Sequence, residues 1–122
     1  MDLSQETQEK ISQLQLFEQK LHSFLTQRQT FQSQLLELEN AVKELETADG
    51  EVYKIVGQVM LKAEKESLKQ SLEERKEVLS IRMQHIEKQE TSIKEDAEKV
   101  QAEVMAEIET RMKAQEKDGN SD

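Results

Sequence analysis

The sequence predicts a mainly α protein, a long antiparallel two-helix coiled coil with a β-hairpin at the bend. Three observations lead to this fold class: a heptad stripe in each of two long segments, a β-rich segment between them, and a composition too poor in apolar residues for a broad core. The 122 residues are 34% hydrophobic and 35% charged, with four aromatic residues. We therefore expect residues 1–122 to form a single narrow domain.

The first segment, about residues 3–47, carries apolar residues at alternate spacings of four and three, which line one stripe of a helix. Kept over about six heptads, such a stripe requires a partner helix in a left-handed supercoil. One heptad position is occupied by Leu14, Leu21, Arg28, Leu35 and Val42, and the other by Leu3, Lys10, Phe17, Phe24, Phe31, Leu38 and Leu45.

Three polar residues, Thr7, Lys10 and Arg28, interrupt this seam. A long basic side chain can pack its stem in a thin coiled coil while its charge reaches water, and we expect Arg28 to set the register in this way. At the start of the helix, Asp2 with Gln5 predicts a capping pair.

A segment of different character follows the first helix, at about residues 51–62. The helical period stops near Gly50, and β-branched or aromatic residues then surround Gly57 and Gln58, which favour a tight turn. The pattern predicts a β-hairpin. A short buried helix is the alternative interpretation.

The helical pattern returns over about residues 64–117. Apolar residues recur there every seven positions, and a second set of apolar residues lies on the adjoining side of the helix. They are Leu72, Leu79, Ile86, Ile93 and Val100, with Leu68, Met83, Ala97 and Val104. The two helices have matching lengths of roughly 65 to 80 Å at about 1.5 Å per residue. Each can bury the seam of the other, which places Leu45 near Leu68 and Leu3 near Ile108. Residues 118–122 are expected to form a frayed tail.

The hairpin has more apolar side chains than the end of a coiled coil can cover. Leaving four or five of them in water forgoes on the order of 10 kcal/mol. The open edges of an isolated hairpin also invite pairing with other strands. We expect the hairpin to assemble with other chains through Val52, Tyr53, Ile55, Val56, Gly57, Val59, Met60 and Leu61.

Apolar residues also lie around the opposite ends of the helices. Methionine suits surfaces that accept varied partners, because its unbranched thioether repacks easily. These tips could hold exposed segments of unfolded proteins, although the same residues could instead close the coil where its period drifts. The candidate contact residues are Leu3, Ile11, Val104, Met105, Ile108 and Met112.

Composition and motifs argue against several other functions. A net charge of -9 without a basic block disfavours a nucleic-acid partner, and no apolar run approaches the roughly 20 residues that span a membrane. No catalytic residue, metal site or cofactor is predicted, and His22 and His85 are interpreted as solvated helix residues. Since cysteine is absent, we expect a cytoplasmic protein.

The segment EVYKIVGQVMLKAEKE carries a recognisable pattern, formed by Val52, Tyr53, Lys54, Gly57 and Lys62. Together with LSIRMQHIEKQE in the second helix, it resembles the β-type subunit of prefoldin, of the archaeal kind. The resemblance covers almost the whole chain, although only the hairpin motif is distinctive.

This resemblance implies an ATP-independent molecular chaperone. Two α-type and four β-type subunits would form a hexamer whose hairpins build a double β-barrel. Its coiled coils would hold non-native proteins and deliver them to a group II chaperonin. The alternative is a structural or adaptor coiled coil that dimerises through its hairpin, which stoichiometry would distinguish.

Overall fold

The computed structural model describes residues 3–119, and it has the predicted fold class. Two long helices flank a two-stranded antiparallel hairpin: α1 spans Gln5–Thr47, β1 Val52–Val56, β2 Val59–Ala63 and α2 Lys65–Gly119. Helix α2 thus continues past residue 117, where the sequence pattern fades, and residues 120–122 of the expected tail lie outside the described residues. Within the described part of the chain, neither helix has a stretch apolar enough to cross a membrane.

Contacts divide the chain into two compact units. The terminal unit comprises residues 1–25 and 87–122, and the hairpin unit comprises residues 26–86. In the hairpin unit, Glu39 pairs with Lys76 at 3.6 Å and Glu46 with Lys69 at 3.2 Å. The residue number rises along α1 as it falls along α2, so the helices are antiparallel there.

The terminal unit has the same antiparallel pairing. Lys10 Nζ lies 3.2 Å from a Glu103 carboxylate oxygen, and the Glu107 carboxylate accepts a hydrogen bond from Ser4. Ser4 and Glu107 are direct chain neighbours of Leu3 and Ile108. The register predicted from the helix lengths is therefore the one observed in this unit.

The heptad seam is confirmed residue by residue. Every predicted seam position of α1, and every predicted apolar position of α2, is buried or half-buried. Only Leu45, Ile86 and Val104 among the described apolar residues are nearly inaccessible to solvent, with 5 to 7% exposure. The core is consequently one layer of side chains thick.

Two polar residues on the seam of α1 are satisfied by their own contacts. Thr7 is only 2% exposed, and its hydroxyl lies within hydrogen-bond distance of the Ser4 hydroxyl, at 2.9 Å. Lys10 packs its stem while its ammonium group reaches Glu103, whose hydrogen bond raises the pKa of Lys10. Glu90 is buried on the seam of α2, a position that the apolar pattern did not include.

The predicted cap of the first helix was misplaced by two residues. The backbone N–H of Thr7 donates to Ser4 Oγ at 3.0 Å, which makes Ser4 the N-cap of a helix that begins at Gln5. A serine one residue before the helix has the reach to satisfy this third N–H, whereas Gln5 already lies inside the helix. Asp2 lies outside the described residues.

The hairpin forms as predicted, and the short-helix alternative is wrong. Its strands pair from Val52 with Ala63 to Val56 with Val59. Gly57 has φ of +62°, while no described non-glycine residue has positive φ. This combination is that of a two-residue type II′ turn, which twists the strands in the sense that a hairpin needs.

A pair of leucine substitutions on α1 tests the one-layer core. Leu45 is 7% exposed and Leu36 is 58% exposed. We expect Leu45→Ala to lower the free energy of unfolding by about 2 to 4 kcal/mol, because it leaves a cavity in the seam. The matched change Leu36→Ala should stay within about 0.5 kcal/mol of the parent. Urea unfolding followed by circular dichroism measures both, and equal losses would contradict the assigned seam.

Candidate assembly and binding surfaces

The two faces of the hairpin are defined by its register. Cross-strand partners project to the same face, and successive pairs alternate between faces. The first face carries the pairs Tyr53–Lys62 and Ile55–Met60, and the second carries Val52–Ala63, Lys54–Leu61 and Val56–Val59. Both faces therefore contain apolar pairs, as the sequence predicted.

Most of these apolar side chains are uncovered in the single chain. Ile55 is 71% exposed and Met60 63% exposed, and Tyr53, Val56, Val59 and Leu61 are exposed as well. The hairpin is a sheet of two strands, so each strand also has an unpaired edge. A side chain of this size gains about 1.5 to 3 kcal/mol on full burial. With two apolar faces and two open edges, the hairpin is a candidate assembly surface of the hairpin unit.

A hydrogen-bonded cluster holds the base of the first face. The Tyr53 hydroxyl donates to Glu51 Oε2 at 2.6 Å, and Lys62 Nζ donates to Glu51 Oε1 at 3.0 Å. Glu51 thus connects two residues that are cross-strand partners. Its carboxylate fixes the polar ends of that pair and leaves Ile55 and Met60 as the apolar part of the face.

Sequence reasoning recognised Tyr53 and Lys62 but missed Glu51. An acidic residue two positions before a strand tyrosine lies on the same side of the chain, which is the signal that could have found it. The hydrogen bond from Tyr53, followed by that from Lys62, lowers the pKa of Glu51 below its ordinary value. The same bond raises the pKa of Tyr53.

The tip residues predicted to contact clients differ strongly in accessibility. Val104 is 6% exposed and belongs to the seam, whereas Met105 and Met112 are 59% and 56% exposed. Leu3, Ile11 and Ile108 are half-buried. Met105 and Met112 lie seven residues apart on one face of α2, so they form an accessible apolar strip in the terminal unit.

Polar contacts secure the start of α1 in the terminal unit. Glu107 accepts hydrogen bonds from Ser4, Thr7 and Arg111, which lower the pKa of its carboxyl group. Arg111 Nε lies 3.3 Å from Glu107 Oε1. This cluster fixes the N-cap of α1 on α2 without adding apolar contacts.

Three exposed apolar residues of the hairpin unit were not singled out from the sequence. They are Leu36, Val78 and Ile81, all on helices and off the seam. Val78 lines an open groove of about 780 Å³ between the two helices, together with Arg75 and Arg82. Position in the heptad marks these residues as off the seam, but it does not indicate which of them borders a groove.

The fluorescence of Tyr53 tests the Glu51 cluster directly, since the chain has one tyrosine and no tryptophan. A carboxylate that accepts the phenol proton quenches tyrosine, so we expect emission to rise as Glu51 is protonated, with a midpoint below 4.5. The stabilisation from a lowered carboxyl pKa is present above 4.5 and is lost as pH falls through the folded-state pKa.

Glu51→Gln should abolish this acid transition and return the pKa of Tyr53 toward 10.0 in an alkaline absorbance titration. Glu44→Gln, an exposed change on α1, is the matched control and should leave both titrations unchanged. An unaltered acid transition in Glu51→Gln would contradict the assigned hydrogen bond.

Comparisons with known proteins agree with this arrangement of helices and hairpin. Residues 8–111 match the family model described as "Prefoldin subunit". Among solved structures, the chain is similar to the prefoldin beta subunit from Thermococcus strain KS-1, with 29% identity and a TM-score of 0.81. The match covers 86% of this chain and 94% of that one. No curated protein sequence matches the chain significantly. Because the family model covers most of the sequence, the chain belongs to the prefoldin subunit family.

Proposed function

We propose that this chain is a β-type subunit of a cytoplasmic, ATP-independent prefoldin chaperone. In this proposal four copies assemble with two α-type subunits, and the hexamer binds non-native polypeptides and delivers them to a group II chaperonin. The chain itself has no catalytic role. The observation that carries the proposal is the hairpin, whose two faces and two edges are left uncovered in the single chain.

The exposed hairpin supports assembly for a physical reason. Ile55 and Met60 sit opposite each other on one face, and Val56 and Val59 on the other. A second sheet packed on either face would remove these side chains from water, and a strand added at either edge would satisfy free backbone groups. The single hairpin between two helices, and the similarity to a solved prefoldin beta subunit, favour the β-type role.

The accessible methionines support client binding in the terminal unit. Met105 and Met112 are exposed on one face of α2, where the helix pair offers no further layer to cover them. Unbranched thioether side chains adapt to apolar segments of different shape. Weak contacts of this kind suit the transient holding of unfolded chains, and Leu3, Ile11 and Ile108 would add to them where they are partly accessible.

Native mass spectrometry of particles isolated from the protein's own cells tests the assembly. We expect a six-chain particle that contains two copies of a second subunit. Ile55→Asp should abolish this particle while the helix content is retained, because the charge would be buried between hairpins. Leu16→Asp introduces the same charge at an exposed leucine of the terminal unit and should leave the particle intact.

A homodimer in place of the hexamer would instead support the adaptor alternative, in which the hairpin is a dimerisation clasp. A six-chain particle formed by Ile55→Asp would contradict the role of the hairpin faces.

A pair of methionine substitutions tests client binding separately. Met105→Ser with Met112→Ser should leave the mass of the particle unchanged and weaken its affinity for an unfolded model protein by about tenfold, since apolar contact area is lost. Suppression of aggregation during refolding of that protein measures the effect. The matched control is Leu36→Ser, which removes an exposed apolar side chain from the hairpin unit. Full activity of the methionine variant would place client binding elsewhere on the particle.

A further inference from the structure

The C-terminal end of α1 leaves carbonyl groups that need partners outside the regular helix. The last carbonyl groups of a helix have no partner in its own ladder, and α1 has no basic residue in its last turn. The Thr47 hydroxyl donates to the Glu44 carbonyl at 3.2 Å. The Ala48 N–H donates to the Leu45 carbonyl at 3.4 Å. The carbonyl of Glu46 is left for a donor from elsewhere in the chain.

Lys65, the first residue of α2, supplies that donor. Its Nζ donates to the Glu46 carbonyl at 3.3 Å and to the Ala48 carbonyl at 3.2 Å. A cation suits this place, because the C-terminal end of a helix carries partial negative charge. One turn further along α2, Lys69 forms an ion pair with the Glu46 carboxylate at 3.2 Å. Two lysines of α2 therefore hold the main chain and a side chain at the end of α1.

The contact of Lys65 with Ala48 closes the base of the hairpin. On one side of the base, a single residue, Glu64, separates β2 from α2. On the other side, residues 48–51 connect α1 to β1, and Gly50 has φ of +90°, which glycine adopts without strain. Lys65 reaches across from the short connection to the start of the longer one. Its ammonium group therefore restrains the connection that has more conformational freedom.

The strands themselves have few contacts that could fix the direction of the hairpin. Within the described residues, no hydrogen bond or ion pair joins β1 or β2 to either helix. Of the strand residues, only Val52 and Ala63 at the base are half-buried. Further out, a cleft of about 560 Å³ lies between the hairpin and α2 and is lined by Tyr53, Ile55 and Leu72. The direction of the hairpin thus depends on its base.

A fixed direction would favour the assembly proposed above. A partner that covers the hairpin and also meets the helices needs the two in one relative position. Every connecting residue that becomes ordered only on binding costs conformational entropy and weakens the complex. A contact that orders the connection in the single chain removes this cost before the partner binds.

We infer that Lys65 is a positioning residue for assembly, whose ammonium group holds the hairpin in the direction in which partner subunits bind it. Lys65 lies on neither face of the hairpin, so it acts through the connection at residues 48–51. The inference rests on the proposed function and adds to it the residue that prepares the hairpin for its partners.

Spin labels measure the direction of the hairpin in the full single chain. Because the chain has no cysteine, Gln58→Cys in the turn and Gln84→Cys on α2 provide two labelling sites, and both residues are exposed. Double electron–electron resonance gives the distribution of distances between the labels. We expect this distribution to become about twofold broader in Lys65→Met, which keeps an unbranched stem and removes the charge, because residues 48–51 are then less restrained.

Two further variants serve as controls. Lys65→Arg keeps a charged donor and should retain the narrow distribution of the parent. Lys69→Met removes the same charge one turn along α2 and breaks the ion pair with Glu46, which does not involve the connection to β1. It should therefore leave the distribution unchanged. Equal broadening in Lys65→Met and Lys69→Met would overturn the specific role of Lys65.

Assembly is measured with the same variants of the otherwise native chain. Dilution of the isolated particle, followed by native mass spectrometry, gives the concentration at which it dissociates. We expect this concentration to rise about tenfold in Lys65→Met, the effect of ordering roughly one backbone residue on binding. Lys65→Arg should dissociate at the concentration of the parent. Circular dichroism should show the helix content of the parent in each variant, which distinguishes positioning from a general loss of folding.

The outcomes separate this inference from the proposed function. An unchanged distance distribution in Lys65→Met would overturn the positioning role, and a broader distribution with unchanged dissociation would overturn its link to assembly. Both results leave the chaperone assignment standing. Failure of the parent chain to form any hetero-oligomeric particle would overturn the proposed function and the link to assembly together.

Discussion

The fold depends on burial of a single layer of side chains between two helices. Within the described residues, neither unit has a third helix to cover a helix from its outer side, so the apolar stripe continues along each helix with few polar interruptions. Even so, the seam residues are mostly half-buried, and only Leu45, Ile86 and Val104 among the described apolar residues approach full burial. Stability therefore comes from many small contributions along the seam, and large apolar residues off the seam such as Leu16, Leu36 and Ile81 remain exposed.

The single-layer core also explains why the apolar side chains of the hairpin are exposed. A helix pair that buries only its own seam has nothing left to cover a sheet, and β1 and β2 leave apolar side chains exposed on both faces. The hairpin is held instead by backbone pairing, by the Gly57 turn and by the Glu51 cluster. These interactions fix its geometry without a core. A preformed hairpin with uncovered faces loses little conformational entropy when a partner covers it, which favours assembly.

Periodic features of the fold were predictable from the sequence, and contacts between particular side chains were not. The heptad spacing identified the seam because it depends only on which side of a helix each residue occupies, and the β-branched residues around Gly57 identified the hairpin in the same way. Glu51 was missed because its role requires the register that brings Lys62 opposite Tyr53. Val104 was expected both on the seam and at the tip, and its burial agrees with its heptad position, whereas its neighbour Met105 is exposed.

In the hairpin unit, charged residues make the two sides of the helix pair different from each other. On one side, Lys69 and Lys76 form ion pairs with Glu46 and Glu39 of the other helix, while Arg75 and Arg82 line a groove that Glu37 and Glu74 also line. The hairpin, with one face bearing the Glu51 cluster and one without it, has a similar asymmetry. Polar residues placed around the apolar surfaces therefore distinguish the two sides of the helix pair and the two faces of the hairpin.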